Sequence, residues 1–306
     1  MTALNPDRVL VLINPNSGLG VSIRVLLDTF QEVWDGEGRV VSYQLSKSTE
    51  DGALKVREAV ENGIGTLVVV GGDGMINTIG SQLLDTGVTL GVIPTGSGNG
   101  FARHFNIPLS PDRAIRTLAK ARPMEIDVGV ANDRPFFITC SLAWDAAIVR
   151  TFERSPVRGV LPYVFAAAYE LFEYKSEIFK VEIDGASSIE IDYPMLFTVA
   201  NLTQYGGGAL IAPQATADDG YLWLTYARKA DVPKLLPQLP KLFDGHINKA
   251  NGVHFKKFQK LRVTRQTPQP LQVDGELMES AAVVDIHIRP RALRVLVPPS
   301  EHPDGK

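Results

Sequence analysis

The first 125 residues alternate short apolar runs with segments whose apolar residues recur three and four apart. "RVLVLI" (8–13), "VVSYQL" (40–45), "TLVVV" (66–70) and "TLGVIP" (89–94) are nearly unbroken β-prone runs. That is the pattern of parallel strands buried on both faces. Between them "VSIRVLLDTFQEVW", "DGALKVREAVEN" and "MINTIGSQLLDT" predict amphipathic helices, the third starting at Met75. Such alternation predicts a doubly wound parallel sheet. After "AIRTLAKARP" (114–123) the rhythm changes to short strand candidates divided by turn residues, among them "EIDVGVAN", "FFITCSLA", "MLFTVAN", "YLWLTYA" and "VVDIHI". These predict an antiparallel β-sandwich. The expected fold is α/β plus all-β: an N-terminal doubly wound parallel domain over residues 1–123, then a sandwich over 124–298. The sandwich's last strand is placed to return to the first domain, and 299–306 form a tail.

Composition changes this picture little. The 306 residues are 44% hydrophobic, enough to give two domains a core each. A net charge of −3 argues against nucleic acid as a partner. The one cysteine, Cys140, excludes an internal disulfide and reads as a packing thiol in a buried strand. No secretory signal pattern opens the chain, and no apolar run approaches the roughly 20 residues that span a bilayer. Any membrane contact is expected to be peripheral.

Chemistry enters with three glycine-rich turns, "NPNSGLG" (14–20), "GGDGM" (71–75) and "PTGSGNG" (94–100), each following a predicted strand. In an open parallel sheet ligands bind outside the carboxyl ends of the strands, where all three turns fall. Glycine lets backbone N–H groups close on phosphate, and a following helix adds the positive end of its dipole. The usual phosphate signatures are absent. There is no GxxxxGK[ST], and "GLGVSI" puts Ile23 at the third glycine of a dinucleotide fingerprint. Asp73, walled in by glycine, adds a carboxylate that bound phosphate would repel unless a cation sits between them. It is read as a Mg2+ ligand, with a helix cap as the alternative. In "VDGE", Asp274 and Glu276 stand two apart on a turn-bearing strand, so that one can take a proton while the other serves a metal. Alone, that stretch is also a common surface hairpin turn.

"NPNSG", "GGDGMIN" and "PTGSGNGFARHFNIP" resemble the catalytic domain of the diacylglycerol kinase and sphingosine kinase superfamily. The likeness continues through "IDVG", "SLAWDA", "GGGALIAPQATADDGYLWL" and "VDGE" over nearly the whole chain. It implies an ATP-binding α/β domain joined to a sandwich, with phosphoryl transfer from ATP to a lipid hydroxyl in the cleft between them. Carried over, Asn14, Pro15, Asn16, Ser17 and Gly18 would touch the nucleotide, as would Gly71, Gly72, Asp73 and Gly74. Thr95, Gly96, Ser97 and Asn99 would do the same. Asp73, Asp127 and Glu276 would form the Mg2+ network, partly through water, and Asp274 would be the general base. A second, structural divalent cation would be held by Asp219 with the carbonyls of Thr216 and Tyr221. Two positions depart from the pattern: Met75 replaces a common threonine, and Gly100 stands where bacterial diacylglycerol kinases carry an aspartate. The lipid therefore stays open between diacylglycerol and a sphingoid base.

The expectation is a cytoplasmic enzyme that meets its lipid peripherally at the inner membrane face, with a homodimer as one open assembly. Two segments are candidates for bilayer contact, "GVLPYVFAAAYELFEY" (159–174) and the basic "HFKKFQKLRVTR" (254–265); a core helix and a solvated strand face are the alternatives. His104 and His254 are read as surface residues. Other readings of the whole are a soluble-substrate kinase resembling NAD kinase and a nucleotide or lipid sensor without chemistry.

Overall fold

A computed structural model describes residues 3–15, 22–35, 38–143 and 177–299. The chain divides into two compact units, residues 1–126 with 291–306, and residues 127–290.

The first unit runs β1 (Asn5–Ile13), α1 (Ile23–Val33), β2 (Val40–Leu45), α2 (Thr49–Glu61), β3 (Ile64–Gly71), α3 (Asp73–Leu83), β4 (Thr89–Pro94), α4 (Gly100–His104) and α5 (Pro111–Ala119). Strand β5 (Arg122–Ala131) then leads into the second unit. The sheet order is β2-β1-β3-β4, every pair parallel, and Arg294 and Val295 from the end of the chain extend it beside β4. The order reverses between β1 and β3, so right-handed crossovers place α1 on one face and α2 and α3 on the other. Helix α1 buries Leu26 and Phe30, and Trp34 just beyond it donates its indole N–H to the carbonyl of Ile115 in α5 at 3.1 Å. Ser48 caps α2 by accepting the Asp51 N–H at 3.2 Å, with Glu50 and Asp51 in the first turn where the helix dipole favours acid.

Strands β3 and β4 are buried nearly throughout, as their unbroken apolar runs predict. Strand β2 is not: Val40 is 67% exposed and Leu45 46%. It is the edge of the sheet, where apolar character reflects β-propensity and not burial on both faces. Helix α3 begins at Asp73, two residues before the expected Met75, so the aspartate lies inside its first turn.

The second unit continues with β6 (Arg134–Phe136), β7 (Thr139–Ser141), β8 (Phe179–Ile183), β9 (Ile189–Ile191), β10 (Pro194–Ala200), β11 (Gln204–Gly206), β12 (Ala209–Leu210) and β13 (Leu222–Arg228). Then come β14 (His254–Phe258), β15 (Lys260–Thr264), β16 (Leu271–Val273), β17 (Glu276–Met278) and β18 (Val283–Val297), whose residues from Arg291 onward belong to the first unit. One antiparallel layer has the order β14-β13-β10-β7-β16-β17; the other contains β18-β15-β8-β9. Phe179 and Phe197, 5.2 Å apart in edge-on contact, pack between the layers with Phe258, Val263, Ile286 and the buried Cys140. The expected strand "FFITCSLA" is broken: Phe137 and Ile138 form a bend between β6 and β7. Their amides have another use.

Candidate functional site

Three connections leave the carboxyl edge of the first unit's sheet. Asn14 follows β1 and donates its N–H to Val70 O at 3.1 Å, while Thr95 follows β4 and donates to Gly71 O at 3.0 Å. The turns after β3 and β4 meet backbone to backbone. A Cβ on Gly96 would lie 2.7 Å from the Cα of Gly72, and one on Gly72 3.2 Å from the Cα of Gly96, so Gly96 has no room for a side chain and Gly72 little. Asn99, in the left-handed region at φ 51°, closes the second turn on itself: Gly96 N–H donates to its Oδ1 at 2.9 Å and its Nδ2 donates to Gly96 O at 2.8 Å. Its side chain therefore shapes the turn, and Ser97 at the tip is exposed. Gly74 lies in the first turn of α3, and Met75 lays its sulfur over Gly71. Pro15 is exposed beside Asn14, while Asn16, Ser17 and Gly18 lie outside the described residues.

Asp73 does not cap its own helix. Its Oδ2 accepts the N–H of Gly100 at 2.9 Å and its Oδ1 that of Phe101 at 3.3 Å, which caps the helix twenty-seven residues on. Burial pushes this carboxyl above the usual aspartate range, against the lowering pull of those amides and of the Arg103 guanidinium. Gly100, the position without the family's aspartate, thus supplies an amide to the neighbouring acid. A half-buried carboxylate beside two glycine turns in close backbone contact is chemically suited to a hard cation. Arg103 is the group that motif reasoning passed over. It lies one turn into α4, donates its Nε–H to Gly98 O at 3.2 Å and brings positive charge to Asp73. A basic residue four positions after a glycine turn is the signal that marks it.

In the second unit Asp127 is buried, at 1% exposure. Its Oδ2 accepts the N–H of Gly220 at 2.6 Å, and its own N–H donates to Ala217 O at 2.6 Å. The structure thus joins Asp127 to the "TADDGYL" turn. Asp274 and Gly275, at φ 47° and 93°, form the two-residue corner between β16 and β17. The turn is a hairpin with Gly275 exposed and its aspartate turned inward. Asp274 is 6% exposed, and its carboxylate accepts three successive amides of the bend: Phe137 at 2.8 Å on Oδ2, Ile138 at 2.8 Å and Thr139 at 3.0 Å on Oδ1. A non-glycine residue held at positive φ by such contacts is a constraint of the kind found at functional sites. Glu276, by contrast, is exposed at the start of β17. The two carboxylates of "VDGE" therefore differ in burial.

Both parts of the chain have counterparts among known proteins. Residues 8–131 match the family model of the diacylglycerol kinase catalytic domain, and residues 139–297 match the YegS C-terminal NAD kinase beta sandwich-like domain. The chain belongs to the diacylglycerol kinase-like family of lipid kinases. A protein of Serratia proteamaculans described as a "probable lipid kinase YegS-like" is 27% identical over 303 residues, covering 96% of this chain and 95% of its own. A diacylglycerol kinase of Mycobacterium tuberculosis is 29% identical over 245 residues, 78% of this chain and 79% of its own. Among solved structures, a diacylglycerol kinase from Bacillus anthracis str. Sterne superposes with a TM-score of 0.74 at 19% identity, covering 96% and 98% of the two chains. That last likeness speaks for the fold alone. Membership of a kinase family implies ATP as the phosphoryl donor.

Other features expected of a lipid kinase of this family fall differently. Asp219 accepts the Tyr221 N–H at 3.1 Å on Oδ1 and pairs its Oδ2 with Lys257 Nζ at 2.9 Å. The same ammonium stands 4.2 Å from the centre of the Tyr221 ring. Lys257 thus meets the charge of Asp219, the one side-chain donor in the expected cation set of Thr216, Asp219 and Tyr221. Of the basic strand pair 254–265, Phe258 is core, Arg262 is bridged to Asp285 at 2.6 Å, and Lys256 and Lys260 are exposed. The segment 159–174 lies outside the described residues. Neither histidine is a bare surface residue: His254 stacks on Tyr226 at 4.8 Å, and burial pushes the His104 imidazole down to about 4. Among the described residues no helix is long and apolar enough to cross a membrane.

Proposed function

We propose that the chain transfers the γ-phosphoryl group of ATP, with Mg2+, to the hydroxyl of a diacylglycerol-like or sphingoid-base lipid. The observation that carries this reading is the meeting of two glycine turns around Asp73 in a domain that matches the diacylglycerol kinase model. Gly72 and Gly96 let the two turns close backbone to backbone, and Arg103 adds positive charge beside Asp73. Mg2+ would neutralise the triphosphate there, held by Asp73 with Asp127 and Glu276 as the further ligand candidates. The acceptor oxygen bonds to the γ-phosphorus as the bond to ADP breaks, and its proton passes to the carboxylate of Asp274. To receive that proton, the carboxylate shares or releases one of its three amides. A positioned base of this kind contributes about 10²- to 10⁴-fold. The lipid is drawn from a bilayer by peripheral contact.

Labelled ATP and Mg2+ with three acceptors, diacylglycerol, a sphingoid base and NAD, test the reading. Transfer to either lipid, reduced about 10²- to 10⁴-fold in kcat by Asp274→Asn at nearly constant ATP affinity, is expected. Transfer to NAD alone would overturn the lipid assignment, and an unchanged kcat in the variant would overturn the base.

A further inference from the structure

The bend that receives Asp274 is gripped from its other side by one residue that no motif marks. Asn201, just beyond β10, is fully buried. Its backbone N–H donates to Ile138 O at 2.9 Å, and that of Leu202 to the same oxygen at 3.3 Å. Its side-chain Nδ2 donates twice, to Phe137 O at 3.0 Å and to Asp127 O at 2.9 Å. The peptide groups of 137–139 therefore point their amides at Asp274 and two of their carbonyls at Asn201. The same side chain ties this bend to the backbone of Asp127.

The chemistry of the site selects asparagine. Both neighbours of Nδ2 are carbonyl oxygens, so the amide has one satisfactory orientation. That orientation leaves Oδ1 buried without a partner. Orphaning a buried acceptor is unfavourable, so what the position needs is the pair of donors. Serine and threonine supply one donor, aspartate none, and glutamine is a methylene too long. We infer that Asn201 is a positioning residue: its amide fixes the 137–139 bend against Asp127 and so holds the Asp274 carboxylate in place. The catalytic part of this inference rests on the kinase reading above; the clamp itself does not.

Two variants keep the question open to decision, Asn201→Leu, of similar size without donors, and Asn201→Ser, with one donor and less bulk. Hydrogen exchange on each should show amides 137–139 exchanging at least about tenfold faster, with β3 in the other unit unchanged as the control. Kinetically, Asn201→Ser should lower kcat about tenfold or more while the KM for ATP moves less than about twofold. In an Asp274→Asn background the same substitution should cost less than about twofold, because the group it positions is already disabled. Unchanged exchange at 137–139 would overturn the clamp, and losses that multiply in the double variant would overturn its action through Asp274. A wild type that phosphorylates no lipid refutes the kinase reading, and the exchange measurement then decides the clamp alone.

Discussion

Asp73→Asn is nearly isosteric, and on the sequence alone it should remove activity without disturbing the fold. The structure changes that expectation. Each carboxylate oxygen accepts one amide at the start of α4, Gly100 at 2.9 Å and Phe101 at 3.3 Å. Asparagine keeps one acceptor and presents an NH2 group to the other amide, so one N–H loses its partner. If it is that of the buried Gly100, the penalty is about 1–3 kcal/mol. Removing a charge whose burial is unfavourable offsets part of this, so that penalty is an upper bound. At about 2–4 °C per kcal/mol for domains of this size, Tm should fall by up to about 12 °C. Asp73→Ala, which removes both acceptors, should melt lower still. Thermal melts of the three proteins, run beside ATP binding with and without Mg2+, separate cap from metal. Asp73→Asn should also lose most of the Mg2+-dependent gain in ATP affinity. Variants that both melt with the wild type refute the cap, and full turnover by Asp73→Asn refutes the metal role.

Gly96→Ala forces a Cβ to within 2.7 Å of a backbone atom that no side-chain rotation can move, so ATP affinity measured by calorimetry should weaken about tenfold or more; an unchanged Kd would mean that the two turns separate freely. With Lys257 as counter-ion to Asp219, chelator should leave the wild-type Tm within about 1 °C, whereas Lys257→Met should gain Tm on adding Mg2+. A chelator-sensitive wild type would instead place a divalent ion in that turn. His104, held neutral by burial, has a folded pKa of about 4 against an ordinary 6.5, so its contribution is full above pH 6.5 and is lost as pH falls toward 4. Urea unfolding should therefore show about 2 kcal/mol more loss between pH 7 and pH 5 in wild type than in His104→Leu, and equal losses would refute the burial argument.

Much of this was legible in the sequence, for a physical reason. Unbroken apolar runs such as "TLVVV" and "TLGVIP" report burial on both faces, and glycine-rich turns after them report where the backbone closes in. The edge strand β2 misled because periodicity does not tell which strand lacks a neighbour. Asp73 was legible as an acid among glycines, yet its hydrogen-bond partners lie twenty-seven residues on, beyond any local pattern. "FFITCSLA" reads as one strand because composition carries no trace of the three amides that Phe137, Ile138 and Thr139 turn toward Asp274. The partner of Asp219 is set by the β13–β14 pairing, which brings Lys257 opposite Trp223. Contacts made across such distances in sequence are where the reading ran out.

These long-range contacts share one feature. Asp73, Asp127 and Asp274 each accept backbone amides from elsewhere in the chain, at α4, at Gly220 and at the 137–139 bend. A carboxylate held only by other side chains would move with their rotamers; one held by backbone moves only if the fold does. The placing of each acid within its own unit is therefore completed on folding, which is what preorganisation of a polar group requires. Glu276, exposed at the start of β17, differs from the buried Asp127 and Asp274 and the half-buried Asp73. An exposed carboxylate stays hydrated, which suits the role proposed for it above, a metal ligand that acts partly through water.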